Sequence, residues 1–333
     1  MIERMRKGKA VILIGLTMAL AVVASMLAAC SCSQQQPSSS SSSSESIEVN
    51  DNKMTSSASS KEPFYALIVG NDSRTGTVEI KKKMYADGKG RSDTMMLARV
   101  DPTTYKVTLI TIPRDTMAAW KSGQKCKLNQ TYEEGGIDEL MDNVESLTGV
   151  RPQYYFDTTF VGFQDIVNSL GGITMNVVAN MDMEDIVSGK DISFPAGEQH
   201  LDGAQALVYA RERHAYESSG NQEAIRQSND RHILQTMIQT LLSDKTKASS
   251  LVKTLYPFVK TNMSEDKFAA FVGDFADHAG QVTFIDGTGP YEGGIDAETQ
   301  AWFADRDEAK WREIIAVVDG GGDPNSIITS PSL

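Results

Sequence analysis

Apolar runs of strand length alternate with helical stretches along most of this chain, and that alternation restricts it to the α/β fold classes. The segment Phe64 to Gly70 is continuously apolar, which is typical of a strand that is buried on both faces of a sheet. Thr94 to Val100 and Tyr105 to Ile112 have the same character. The turn Asp101 to Thr104 between them predicts an antiparallel hairpin.

Apolar side chains at helical spacing predict the helices that separate and follow these strands. Gly149 is placed to end the first of them, and Gly171 with Gly172 ends the second before a further strand, Ile173 to Val178. No change of composition and no internal repeat divides residues 63–320, so we predict a single α/β sandwich domain. The helical segments are Ile137 to Leu147, Phe163 to Leu170, Ile233 to Leu241, Phe268 to Phe275 and Trp311 to Val318.

The N-terminus has the pattern of a leader, because basic residues precede the uncharged stretch Ala10 to Ala29. Leu27-Ala28-Ala29-Cys30 resembles the lipobox of bacterial lipoprotein signals, in which the leader is removed and the cysteine is acylated. We therefore predict a signal peptide over residues 1–29 and lipidation of Cys30. An uncleaved transmembrane helix is the alternative, since the stretch is long enough to span a bilayer. Both predictions put the rest of the chain at the extracytoplasmic face of the cell membrane.

Serine dominates the next segment, with an unbroken run from Ser38 to Ser44. Residues 30–62 contain too few bulky apolar side chains to bury a core, so we predict a disordered linker there. The folded domain is expected over residues 63–320, followed by a flexible tail over residues 321–333.

Charge and motif content exclude several classes of protein. The formal net charge of -12 would repel a nucleic-acid backbone, so no nucleic-acid partner is expected. The three cysteines cannot form a disulfide framework, and the four widely spaced histidines do not form a zinc site. The glycine-rich nucleotide-binding loops, the H-E-x-x-H metalloprotease motif and the G-x-S-x-G nucleophile motif are all missing.

Acidic residues and arginines occur together where strands begin or end. The planar guanidinium of arginine binds phosphate oxygens through paired hydrogen bonds, whereas neighbouring carboxylates would repel the same phosphate. A magnesium ion between them would remove that conflict, because Mg²⁺ combines a few carboxylates with phosphate oxygens and water. The pattern therefore predicts a metal-assisted pyrophosphate site, with ordinary surface ion pairs as the alternative. The groups are Asp72 with Arg74, Arg91 with Asp93, Arg114 with Asp115, and Arg211 with Arg213.

Six segments of the sequence, taken in their order along the chain, resemble the LytR-CpsA-Psr family of cell-envelope enzymes. The resemblance covers about residues 64–243 by motif. It implies a catalytic domain over residues 63–320 with a three-layer α/β/α sandwich and a mixed central sheet. The segments are Leu67 to Arg74, Arg91 to Leu97, Ile110 to Asp115, Lys127 to Asn129 with Tyr132 and Gly135-Gly136, Leu170 to Ile173, and Leu201 to Arg213.

The resemblance also implies an activity. Members of the family transfer a glycan phosphate from an undecaprenyl-pyrophosphate carrier to a sugar hydroxyl of peptidoglycan, which attaches teichoic acids, capsules or similar polymers to the wall. A polyprenyl-pyrophosphate-linked glycan donor, a peptidoglycan acceptor, the cell membrane and Mg²⁺ are therefore the expected partners and cofactor. A polyprenyl-pyrophosphate hydrolase and a non-catalytic envelope lipoprotein that binds anionic glycans are the alternatives.

The same resemblance assigns roles to individual residues. Asp72 and Asp93 are the expected magnesium ligands. Magnesium and guanidinium charge would stabilise the leaving undecaprenyl phosphate, while a carboxylate takes the proton of the acceptor hydroxyl. Which carboxylate acts as the base stays open. The expected catalytic group is Arg91, Asp93, Arg114 and Asp115. The expected pyrophosphate-binding residues are Arg74, Arg91, Arg114, Arg211, Arg213, Arg226, Gln227 and Asn229.

Three features depart from the family pattern. A long insertion between Asp72 and Arg91 carries three consecutive lysines, which either contact an anionic glycan or are simply solvated. Arg226 and Asn229 fit the pattern, but Asp230 and Arg231 stand where glutamine is expected, and Gln227 could replace it after a local shift. The lipobox takes the place of the usual transmembrane helix, and a lipid anchor would serve the same purpose.

The carrier's hydrocarbon tail requires an apolar groove, which the resemblance implies between the sheet and its helices. Phe156, Phe160, Phe163 and Val167 are candidate wall residues, with ordinary core packing as the alternative for each.

Overall fold

The computed structural model describes residues 61–78 and 90–330, and its centre is a six-stranded sheet. Its strands are β1 (Phe64–Asn71), β2 (Ser92–Asp101), β3 (Lys106–Thr111), β6 (Tyr154–Thr159), β11 (Lys260–Thr261) and β12 (Thr283–Thr288). Antiparallel pairing joins β1 to β2, β2 to β3 and β6 to β11. Parallel pairing joins β1 to β6 and β3 to β12. The predicted hairpin and the mixed central sheet are both confirmed. The leader, Cys30, the linker before residue 61 and the three consecutive lysines lie outside the described residues.

Helices cover both faces of this sheet and complete the expected three layers. Helices α1 and α7 cover one face, α2, α4, α5 and α6 cover the other, and α3 packs against α2 and α4. The helices are α1 (Leu128–Thr148), α2 (Phe160–Ser169), α3 (Gly203–Arg211), α4 (Gln222–Leu242), α5 (Lys245–Leu255), α6 (Glu265–Asp277) and α7 (Glu308–Asp319).

Four two-stranded ribbons surround the sheet. They are β4 (Met117–Ala119) with β5 (Lys125–Lys127), β7 (Ile173–Val177) with β10 (Gly197–Leu201), β8 (Met181–Glu184) with β9 (Asp191–Phe194), and β13 (Gly293–Ile295) with β14 (Trp302–Ala304). The ribbon of β7 and β10 forms a separate small core with α3 and the start of α4.

The two faces of the sheet are filled differently. On one face, Leu67 and Leu97 pack tightly against α1 and against Trp311 of α7, all fully buried. On the other face, alternate residues of the same strands border a cavity of about 470 Å³ beneath α4 and α6. Phe64 and Ile68 are only half-buried because they line this cavity. The apolar run of β1 therefore packs against core on one face and borders a cavity on the other.

Residues 321–330 differ from the predicted flexible tail, because they fold back onto the edge of the sheet. Pro324 packs against Gly287 of β12, where any side chain would collide with it. The side-chain amide of Asn325 donates to the backbone oxygen of Asp286 at 2.6 Å, and Lys106 Nζ donates to the backbone oxygen of Gly321 at 2.9 Å. These contacts satisfy polar groups that a free tail would leave to water. The tail is thus ordered through Ser330.

Cys126 on β5 is a free and buried thiol. Burial raises the pKa of this thiol to about 11, so that it stays protonated and unreactive at neutral pH.

Within residues 61–78 and 90–330, no helix is both long and apolar enough to cross a membrane.

Candidate active site

Asp72 and Asp93 lie at neighbouring strand ends, where β1 finishes and β2 begins. The two ends are tied together, because the Asp72 backbone N–H donates to the Arg91 carbonyl at 2.9 Å and the Arg91 N–H donates to Asp72 Oδ1 at 2.6 Å. Gly90 permits this approach, since a Cβ there would lie 2.4 Å from the backbone nitrogen of Ser73. The backbones at Asp72 and Arg91 are therefore fixed next to each other beside the two carboxylates.

These two carboxylates fit a divalent cation. Burial raises the pKa of Asp72 above its usual range, and the charge of Asp93 raises it further. The hydrogen bond from the Arg91 backbone lowers this pKa, but by less than burial raises it. A cation bound by Asp72 and Asp93 would relieve the burial cost of Asp72 and the repulsion between the two charges. Within the described residues no group of three or more His, Cys, Asp or Glu side chains could hold a metal. Mg²⁺ prefers a small number of carboxylates, with phosphate oxygens and water as its remaining ligands, and Asp72 and Asp93 would supply the carboxylates.

Arg114 connects Asp93 to the rest of the site. It follows Pro113 at the end of β3, and its Nη1 donates to Asp93 Oδ1 at 2.9 Å. Asn129, at the start of α1, donates to the same oxygen at 3.3 Å. The neighbouring Asp115 forms an ion pair with Lys127 at 2.8 Å, and its other oxygen lies 4.0 Å from Arg114 Nε. Arg114 and Asp93 are thus held as a pair whose orientation depends on three separate segments.

Arg226 is buried beneath this pair, with its donors all directed at protein acceptors. Its five N–H groups make five hydrogen bonds: two to Glu223, two to the side chains of Thr94 and Asp230, and one to the backbone oxygen of Asp93. The predicted phosphate ligand therefore supports the backbone of Asp93 from below.

Phe160 separates the charged mouth from the apolar interior. It is the first residue of α2, and the guanidinium groups of Arg74 and Arg211 lie 6.0 and 5.2 Å from its ring centroid. Cation–π attraction holds guanidinium groups in such positions. Phe160 therefore places two predicted phosphate-binding arginines at the rim of the cavity.

The cavity continues from this rim into the space between the sheet and the helices. Its floor is made by β1, β2 and β3, and its roof by α2, α4 and α6. Phe156, Phe160 and Phe163 line it as predicted, but Val167 does not, because it is fully buried in the small core with β7 and β10. The charged and polar residues at its mouth are Asn71, Asp72, Arg74, Asp93, Thr94, Arg114, Arg211, Arg213, Arg226 and Asp230.

Four of the predicted site residues do not line this cavity. Asp115 is one of them, and Arg91 directs its Nε to Glu133 of α1 at 2.8 Å. Gln227 donates to Glu223 at 3.3 Å and borders a small recess beside Asp93. Asn229 is buried, accepting a hydrogen bond from Tyr209 and donating one to Tyr216.

A buried hydrogen-bond network supports the end of β1. Asp157 on the adjacent strand β6 accepts from Asn71 at 2.6 Å and from the Tyr132 hydroxyl at 2.5 Å. Tyr132 reaches it from the first turns of α1, which breaks at Gly136, where φ is +70°. The network fixes Asn71, the residue directly before Asp72.

Glu223 is a charged residue beside the mouth that the sequence analysis did not single out. Although burial opposes it, Arg226, Arg114 and Arg213 together hold the pKa of Glu223 at about 2. Its position three residues before Arg226 on a helix is the signal that could have identified it, since residues at that spacing are neighbours on a helix.

Comparisons with known proteins found relatives of this sequence and of this fold. The LytR_cpsA_psr family model matches residues 29–310. Polyisoprenyl-teichoic acid–peptidoglycan teichoic acid transferase TagU of Enterococcus faecalis is 30% identical over 249 residues, which is 73% of this chain and 76% of that protein. The corresponding transferase TagV of Bacillus subtilis is 35% identical over 173 residues, so the match spans 46% of this chain and less than half (44%) of TagV.

Solved structures share the fold. The crystal structure of B. subtilis TagV has a TM-score of 0.61 at 26% identity, covering 76% of this chain and 95% of that one. TagT bound to LI-WTA has a TM-score of 0.58 at 19% identity, covering 78% and 90%, which is a likeness of fold alone. Since the family model matches most of the described domain and the fold agrees, this chain belongs to the LytR_cpsA_psr family.

Proposed function

We propose that this chain transfers a glycan phosphate from a polyprenyl-pyrophosphate carrier to a hydroxyl group of peptidoglycan, with Mg²⁺ as cofactor. One observation carries the proposal: an apolar cavity opens directly onto a mouth of arginines and aspartates. A ligand that fits both parts has a long hydrocarbon tail joined to a charged phosphate group. The names of TagU and TagV, polyisoprenyl-teichoic acid–peptidoglycan teichoic acid transferases, support this donor and acceptor.

The residues of the mouth divide the work of binding the donor. Arg74 and Arg211, held against Phe160, are nearest to the apolar rim and would bind the phosphate that carries the tail. Arg114 and Arg213 would bind the phosphate that carries the glycan. Asp72 and Asp93 would hold Mg²⁺, which supplies charge neutralisation to the two phosphates when it is bound.

The chemical step exchanges one phosphorus–oxygen bond for another. The acceptor hydroxyl oxygen attacks the phosphorus that carries the glycan, and the bond from this phosphorus to the polyprenyl phosphate breaks. Arginine charge at the rim stabilises the negative charge that grows on the leaving polyprenyl phosphate. A carboxylate at the mouth takes the proton of the acceptor hydroxyl. The products are a glycan joined to peptidoglycan by a phosphodiester and free polyprenyl phosphate.

A transfer assay tests this function directly. The full-length chain in detergent is mixed with a labelled polyprenyl-pyrophosphate glycan, peptidoglycan oligomers and Mg²⁺. We expect label to move into peptidoglycan, and we expect excess EDTA to abolish this transfer until Mg²⁺ is restored. Label released only into water would favour a pyrophosphate hydrolase. A donor that neither binds nor reacts would favour the non-catalytic lipoprotein.

We further propose that the domain is held at the outer face of the cell membrane through a lipid on Cys30. The tether would keep the cavity near a carrier embedded in the same leaflet. Cys30→Ser is expected to abolish acylation of the chain, as measured by intact mass and by incorporation of a labelled fatty acid. A wild-type chain that carries no acyl group and keeps residues 1–29 would leave the uncleaved helix as the anchor.

A further inference from the structure

The Glu223 carboxylate lies among three arginines of the mouth. Its Oε1 is 2.7 Å from Arg226 Nη2 and 3.4 Å from Arg114 Nε, while its Oε2 is 3.2 Å from Arg226 Nε and 3.4 Å from Arg213 Nη1. One carboxylate therefore joins guanidinium groups from the end of β3, the segment after α3 and the interior of α4.

The contacts with Arg226 are the short ones, and Arg226 itself cannot move freely. Its remaining N–H groups are bonded to Thr94, to the Asp93 backbone and to Asp230, the last at 2.7 Å, and both Arg226 and Asp230 are buried. A guanidinium paired with a carboxylate in this two-pronged way has a fixed plane. Glu223 is therefore the exposed end of a rigid unit made of Asp230, Arg226 and Glu223.

The contacts of Glu223 with Arg114 and Arg213 have different properties. Both are 3.4 Å long, and the Glu223 side chain is 31% exposed. They are long enough to be exchanged for the shorter contacts that a phosphate oxygen makes with a guanidinium. Arg114 is also held by Asp93 at 2.9 Å, whereas Arg213 is 44% exposed and forms its ion pair with Glu223. Because two guanidinium groups repel each other, Arg213 would spread into solvent without this counter-ion.

We propose that Glu223 is a positioning residue for the donor diphosphate. This proposal rests on the proposed function and extends it. Clamped from below by Arg226, the Glu223 carboxylate keeps Arg114 and Arg213 close together and aimed into the mouth, so that the diphosphate meets two guanidinium groups already in place. Binding then costs less side-chain ordering than it would with a loose Arg213.

The departure at position 230 fits this arrangement. The family resemblance predicts a glutamine there, and this chain has Asp230, whose charge helps to neutralise Arg226. Glu223 also lies in the first turn of α4, where the helix dipole favours a carboxylate. Asp230 thus fixes the guanidinium with which Glu223 pairs, and the helix dipole favours the charge of Glu223.

The test measures binding of inorganic pyrophosphate with Mg²⁺ by calorimetry, together with donor kinetics, in full-length protein. We expect Glu223→Gln to weaken pyrophosphate binding and to raise the donor KM by about tenfold each, with kcat changed by less than about threefold. Glu223→Asp, which keeps the charge, should recover most of the affinity. Glu217→Gln is the matched control, because Glu217 is an exposed carboxylate that pairs with the exposed His214 three residues before it, and it should behave as wild type.

A second comparison shows whether Glu223 acts through an arginine. In an Arg213→Ala background, Glu223→Gln should weaken pyrophosphate binding much less than it does in the wild type, because one of its two targets is gone. If Glu223→Gln does not fold, Asp230→Asn replaces it and should shift pyrophosphate affinity in the same direction.

Several outcomes would overturn the proposal. Tighter or unchanged pyrophosphate binding by Glu223→Gln would mean that the carboxylate competes with phosphate or does nothing. Equal losses in the two backgrounds would mean that Glu223 does not act through Arg213. Wild-type protein that binds no pyrophosphate would remove the site altogether. If the wild-type protein binds pyrophosphate but does not transfer glycan, the proposed function is contradicted. The role of Glu223 in binding pyrophosphate would still be decided by comparing the variants.

Discussion

Replacing Asp93 by alanine is expected to lower the rate of glycan transfer by at least about a thousandfold without unfolding the protein. The Asp93 carboxylate joins two parts of the proposed chemistry, because it would hold Mg²⁺ and it receives a hydrogen bond from Arg114 Nη1 at 2.9 Å. Its loss removes a metal ligand and frees the arginine that would bind the glycan phosphate. Initial rates at saturating donor measure the effect, with thermal unfolding followed in parallel.

Asp101→Asn is the matched control for this variant. Asp101 belongs to the same strand at its opposite end, where it accepts hydrogen bonds from the turn residues Thr103 and Thr104. It should change stability slightly and leave the transfer rate unaltered. Arg114→Ala should reproduce most of the Asp93→Ala defect, because the two side chains form one pair. An Asp93→Ala protein that transfers glycan at the wild-type rate would remove Asp93 from the mechanism.

Much of the fold could be predicted because its elements are set by local patterns. The hairpin of β2 and β3 follows from two apolar runs around one turn, and the helices follow from apolar side chains at helical spacing. The tail could not be predicted in the same way. Pro324 and Asn325 are held by Gly287 and Asp286, which are far away in the chain. Order that depends on such distant partners leaves no periodic signal.

The candidate site also combines features that local sequence patterns predict with features that depend on distant partners. Asp72, Asp93 and Arg114 could be expected to meet, since they lie where adjacent strands begin or end. The directions of Arg91 and Asn229 could not be expected, because Glu133 draws one away and two buried tyrosines hold the other. Sequence patterns thus bring residues to one edge of a sheet, whereas long-range partners decide where each side chain points.

Two alanines lie on the face of the sheet that borders the cavity. Ala66 of β1 and Ala98 of β2 are direct cross-strand partners, and both line the cavity. On the opposite face, Leu67 pairs with Leu97 and the packing is closed. The two paired alanines therefore leave space at this point of the cavity floor, between the larger side chains Phe64 and Ile68 of the same face.

Ala98→Phe is expected to block the cavity and to prevent use of donors with long polyprenyl tails. The new ring would project from the floor of the cavity into space that a tail needs, so the KM for an undecaprenyl donor should rise by about a hundredfold. A donor with a much shorter prenyl chain should be affected far less. Donor kinetics with the two tail lengths measure the difference, and pyrophosphate binding in the presence of Mg²⁺ should stay at the wild-type value.

Two comparisons separate blocking from general damage. Ala98→Val adds little volume at the same position and should keep most of the activity with the long donor. The phenylalanine should cost at most about 1 to 3 kcal/mol of stability, because it enters a cavity rather than a filled core. If Ala98→Phe used the long donor as well as the wild type does, the tail would bind elsewhere. The arginines would then hold the diphosphate without help from the interior of the fold, and the cavity would lose its place in the proposed function.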